Sequence, residues 1–207
     1  GAKDEDPGSL RVLTVYVEQA TVLTYFKKFL KHHEMVPAEE VFGDYTPEEF
    51  DALQDFSMRN ARSKAVRVAF EAAGKTVERH VNGIFVTRVD QSSDFRDKLK
   101  VGDIIETIDG KSPGNTDESF EDLKDYLAGL EPGHTLVLQV KRDDETMTIS
   151  AKLKMNSRTG GIRLGFGGEV DEDVTSDPSV EFDAHGVSGP SGGLMFTLEI
   201  YNQIPRE

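Results

Sequence analysis

Ser191 stands in "HGVSGPSGGLMFTLEIY", residues 185–201, between glycine-containing pairs and directly before an apolar, helix-like run. Two readings fit these residues. Ser191 caps an ordinary helix, or it is a nucleophile held at a helix N-terminus, beside the positive end of the dipole. A serine hydroxyl is a weak nucleophile until a base takes its proton, so its partners decide the matter. His185 and Asp183 would complete a Ser-His-Asp arrangement on paper, but nearness in sequence is not geometry.

Composition narrows the chemistry. The chain has 207 residues, enough to bury a core without staples. Its net charge of −14 argues against nucleic acid as a partner and supplies no polybasic patch for an anionic membrane surface. It contains no cysteine, which removes disulfides, thiolate metal sites and Cys nucleophiles together. No stretch reaches the roughly 18 apolar residues of a spanning helix, and no signal peptide is present. The first residue is Gly, so the N-terminus reads as processed or excised.

The elements around the serine follow from periodicity. "SLRVLTVYV" predicts a strand over 10–17, and "ATVLTYFKKFLKHH" an amphipathic helix over 20–33. A long helix is predicted from Thr46, whose T-x-x-E capping box ends at Glu49, with Pro47 at the first position and Gly74 as the stop. Its alanines predict close packing against another element. Strands are predicted at 82–89 and 104–108, a helix near 118–130, and a hairpin turning at Arg142–Glu145. After residue 155, strands are predicted at Ile162–Phe166 and Val180–Phe182, with an acidic loop between Glu169 and Asp177. The loop does not match calcium-ligand spacing, so it reads as a solvated loop.

The order of parts at 76–155 resembles a PDZ domain, in particular the bacterial type beside extracytoplasmic proteases. The resemblance rests on a Gly-led strand, "LKVGDIIETIDGK", a helix near Ser119 and a closing hairpin. It implies that a peptide adds as an extra strand between the Gly-led strand and the helix. Backbone N–H groups of Gly83, Ile84 and Phe85 would receive a terminal carboxylate. Ile84 and Val86 would face Phe120, Leu123, Lys124 and Leu127 across the groove, with alternation leaving about half of these in the core.

"GPSGGLMFTLEIYNQI" resembles the Gly-Pro-Ser-Ala-Gly nucleophile motif of Lon-type proteases. The whole chain is similar to the membrane-anchored, PDZ-containing Lon-like serine proteases of Gram-positive bacteria. That resemblance implies an α+β chain in three parts. Residues 1–75 form a strand-and-helix region belonging to or packed on the proteolytic domain. Residues 76–155 form the PDZ domain, a small barrel or sandwich with helices, and 156–207 begin the Lon-like proteolytic domain. It implies Ser191 as nucleophile, with Gly189, Pro190, Gly192 and Gly193 shaping the oxyanion loop, and a neutral lysine as base. The lysine is expected several tens of residues after the serine, beyond Glu207, so this chain alone is expected to be inactive. Gly192 departs from the family, which usually has alanine there. The substrate is expected to be a secreted or membrane-proximal peptide, with no cofactor and no metal. The expected location is outside the cytoplasm, with the membrane reached only through an anchor missing from this chain. The alternative is a non-catalytic PDZ peptide-binding module with a degenerate Lon-like portion.

Overall fold

A computed structural model describes residues 36–182 and 192–204. The elements expected at 10–17 and 20–33 lie outside the described residues. In chain order come α1 (Ala38–Phe42), α2 (Pro47–Ala72), β1 (Glu78–Val89), β2 (Ile104–Ile108), α3 (Asp117–Ala128) and β3 (Thr135–Arg142). There follow β4 (Glu145–Lys152), β5 (Lys154–Met155), β6 (Ile162–Arg163), β7 (Phe166–Thr175) and α4 (Gly193–Gln203). No described helix is long and apolar enough to cross a membrane.

Helix α2 starts where its sequence predicts. Thr46 Oγ1 accepts the Glu49 N–H at 3.2 Å, and Glu49 Oε2 accepts the Thr46 N–H at 2.9 Å. Together they satisfy two donors that the first helical turn leaves orphaned. The α2 alanines then do what their size allows. Ala65, Val66, Ala69 and Phe70 are buried with Ile200 and Ile204 of α4, and a Cβ added at Gly193 would lie only 3.7 Å from Ala61 Cβ. Helix α4, apolar nearly all round, thus finds its core on α2. Leu194 and Leu198 remain 72% and 46% exposed.

The main sheet is antiparallel with strand order β4-β3-β2-β1-β7. Leu136, Leu138 and Val140 of β3 point alternately inward and are fully buried, as are Val86, Phe95 and Ile105. With Leu123 of α3 they form one cluster, and burying a leucine of this kind is worth about 1.5–3 kcal/mol. The β3–β4 hairpin closes through Asp143 and Asp144, both at positive φ, as a two-residue loop matching the strand twist requires.

Asp109 fastens the next turn. Its carboxylate accepts the Val137 N–H at 2.8 Å and the Tyr126 hydroxyl at 2.8 Å, and lies 2.7 Å from His134 Nε2. Burial pushes the Asp109 carboxyl up, but the Val137 N–H, His134 and Tyr126 outweigh it and hold the group below its ordinary value. A depressed folded value stabilises the protein fully above the unfolded carboxylate pKa of about 3.9, and that contribution is lost as pH falls through the folded value. Asp109 has φ 49, a conformation asparagine tolerates. Asp109→Asn is therefore expected to cost roughly 1–2 kcal/mol at pH 7. Urea midpoints at pH 7 and pH 3 check this, because the gap between variant and parent should narrow in acid.

Two sequence expectations are corrected in the segment after residue 155. The acidic stretch from Glu169 is not a solvated loop: as far as Thr175 it lies in β7, paired with β1 from Glu78↔Thr175 to Val89↔Phe166. Asp171 and Glu172 are buried because arginines meet them, Asp171 with Arg59 at 2.9 Å and Glu172 with Arg79. No strand forms at 180–182. Val180 and Phe182 pack instead on the α2–α4 cluster.

Candidate peptide-binding site

A strand can be added to a sheet only where a backbone edge is free. Strand β1 has none. Ile84 and Phe85 pair with Ile105 and Ile104 of β2 on one side. On the other, Gly83, Ile84, Phe85 and Val86 stand opposite Asp171, Val170, Glu169 and Gly168 of β7. The Val86 N–H also donates to the Asp103 carbonyl at 2.8 Å. The expected docking of a peptide beside Gly83–Val86 is corrected accordingly, because this chain's own β7 already occupies that edge.

The expected groove walls are largely core. Val86 and Leu123 are buried in the sheet cluster, and Phe85 is buried with its ring stacked on Phe56 of α2 at 4.0 Å. Gly83, at φ 150, sits so close to β2 that a Cβ would lie 2.5 Å from the Ile105 carbonyl oxygen. Ile84, Phe120 and Leu127 are half-buried, and Ile84 and Leu127 pack on the same cluster. The Phe120 ring carries the Lys124 ammonium at 4.9 Å.

The lateral edges of the sheet are the outer sides of β4 and β7. On β4, Lys98 Nζ already donates to the Ser150 carbonyl at 2.6 Å. Among the described residues, no strand pairs with the outer side of β7. Gly165 leads this strand at φ 82, where a Cβ would meet Ser93 Oγ at 2.2 Å, so only glycine fits the entry. The Asp90 N–H donates to the Gly165 carbonyl at 2.9 Å and fixes it. Sequence reasoning missed β7 because its carboxylates read as loop. The usable signal was the glycine-led form of Gly165–Gly168, the same form that revealed β1.

Cations on neighbouring elements hold this acidic strand in place. Arg79 bonds Glu172 and, at 2.7 Å, Asp117 at the start of α3. Burial works against the Arg79 cation, but both carboxylates outweigh it and push its pKa further up. Arg67 adds a second guanidinium 3.6 Å from Glu172. The strand is thereby tied to α2 on one side and α3 on the other.

Ser191, Gly189 and Pro190 lie outside the described residues, as do His185 and Asp183. Gly192 is the N-cap residue of α4, Gly193 opens the helix, and among the described residues no side chain caps it. The first-turn N–H groups therefore have no partner within the helix. The departure from alanine at Gly192 has a steric reason. A Cβ there would lie 2.8 Å from the Phe196 ring, which packs edge-on against Phe182 at 5.2 Å.

The glycine-led antiparallel sheet, with a helix inserted before its hairpin, defines a PDZ-type peptide-binding module. Residues 57–153 match the PDZ domain family model, and the chain carries a PDZ domain. No curated protein matches it. Among solved structures, it is similar to the PDZ domain of the SdrC-like protein from Listeria monocytogenes, at 24% identity over 42% of this chain and 87% of that one, TM-score 0.37. The PDZ domain of the SdrC-like protein from Listeria innocua is 25% identical over 42% and 94%, TM-score 0.37. A solution structure from Geobacillus thermodenitrificans is 27% identical over 41% and 94%, TM-score 0.35.

Proposed function

We propose that this chain is the peptide-binding and nucleophile-bearing part of a serine endopeptidase that acts outside the cytoplasm, tethered to a membrane. Its PDZ domain holds an extended segment of a secreted or membrane-proximal peptide, and Ser191 attacks the scissile carbonyl. The outer edge of β7, with which no described strand pairs, carries the binding half, because it can form a ladder of backbone bonds with an incoming strand. The chemical half rests on the resemblance of "GPSGG" to the Lon-type motif, supported by the start of a helix, α4, directly after it. N–H groups there suit an oxyanion. A neutral lysine, placed by the same resemblance after residue 207, takes the serine proton.

Two experiments test the halves separately. Saturating the chain with an extended hexapeptide is expected to slow amide exchange within 166–175 by about tenfold or more. Protection appearing on 145–152 instead, or nowhere, defeats strand addition at β7. Peptidase activity of the parent protein carrying Ser191→Ala tests the chemistry.

A further inference from the structure

A cleft of about 350 Å³ opens between α2, α4 and β7, at the low end of the size range for small-ligand sites. Its walls are small: Ser57, Ala61 and Ala65 on α2, with Gly193 on α4. Asn60 lines it, 4% exposed, and its Oδ1 has no hydrogen-bond partner. The other amide atom, Nδ2, reaches only Glu169 Oε2, at 3.4 Å. An unpaired buried amide oxygen keeps its desolvation cost uncompensated, so the site is poised for a donor. Lys64 Nζ also faces the cleft, loosely held 3.6 Å from Glu169. The first turn of α4, which no described side chain caps, adds N–H donors at Gly193.

The polar groups restrict the ligand. A carboxylate or phosphate offers no donor to Asn60 Oδ1 and meets the Glu169 carboxylate. An ammonium ion offers nothing to the α4 N–H groups or to Lys64. A peptide group offers both an N–H and a C=O, and its small flanking side chains fit the alanine and glycine walls.

We infer that this cleft is a second ligand site, which binds an uncharged peptide segment of one or two small residues. The segment donates a backbone N–H to Asn60 Oδ1 and accepts from the first turn of α4. This goes beyond the proposed function, since it needs neither strand addition at β7 nor any chemistry at Ser191.

The test is an NMR titration of the full chain with N-acetyl-Ala-Ala-amide, with acetate and ethylammonium as controls. The blocked dipeptide is expected to shift the Asn60 side-chain amide and the Gly193 and Thr197 backbone amides saturably. Asn60→Ala should weaken this binding about tenfold. Val68→Phe should block it while leaving the fold intact, because Val68 lines the cleft yet is 46% exposed. The inference is overturned if the dipeptide gives no saturable shift at these positions, or binds Asn60→Ala and Val68→Phe as well as the parent. Saturable binding of acetate at Gly193, independent of Asn60, overturns it in favour of an anion site.

Discussion

Arg142→Ala is expected to destabilise the PDZ domain by about 3–5 kcal/mol, because it strands a buried carboxylate. Asp103 is 1% exposed. Arg142 grips it with two nitrogens, Nε at 2.6 Å and Nη2 at 2.7 Å, while the Lys100 N–H donates to it at 2.7 Å. Arg142 Nη2 also donates to the Lys98 carbonyl at 2.8 Å, so one guanidinium ties the later part of the loop between β1 and β2 to β3. The hydrogen bond to Asp103 raises the Arg142 pKa against the effect of burial, so the cation persists at any pH the fold survives. The pair matters for the sheet because the Asp103 and Gly102 backbones bond Val86 of β1. The exposed pair Lys141–Asp144, one turn away, sets the contrast at 3.0 Å with side chains 46% and 93% exposed. Breaking it should leave stability nearly unchanged, because solvent screens so exposed a pair. Urea unfolding of Arg142→Ala and Lys141→Ala compares the two. Similar midpoints would show that burial does not govern this charge network.

The second large effect concerns turnover. Ser191→Ala in the parent protein is expected to lower peptide cleavage by at least about 10⁴-fold, since the bond-forming oxygen is lost while the oxyanion donors remain. Thermal unfolding should be unchanged within about 0.5 kcal/mol, since the proposed role of the hydroxyl is chemical. That combination separates a nucleophile from a helix cap, whose loss costs about 1 kcal/mol of stability. Undiminished cleavage by Ser191→Ala would end the assignment. Loss of stability without loss of turnover would return Ser191 to the cap.

Most of the elements were legible because their signals are local. Thr46, Pro47 and Glu49 specify the start of α2 within four residues, and the capping bonds form as read. Leu136, Leu138 and Val140 alternate as a half-buried strand must, and all three are buried. The binding edge was not legible. Gly83 lies inside β1 and Gly165 directly precedes β7, and sequence gives no means of ranking them. Strand β7 was read as loop because Glu169, Asp171, Glu172 and Asp173 are strand-poor residues that usually seek water. Their partners Arg59, Arg67 and Arg79 are distant in sequence, the Arg59–Asp171 bond spanning 112 positions.

The sequence by itself determined the start of α2, the alternating strands and the tight turns, since caps and periodicity act over a few residues, while the PDZ domain was legible through the resemblance of the order of its parts. It also singled out Ser191 as the residue to test. Only the tertiary structure decided that β7 closes the edge of β1, that α4 finds its core on α2, and that Asn60 Oδ1 is left facing a cleft without a hydrogen-bond donor. Pairing, burial and an unmet hydrogen bond are relations between distant segments, and they acquire an energy only when the fold brings those segments together.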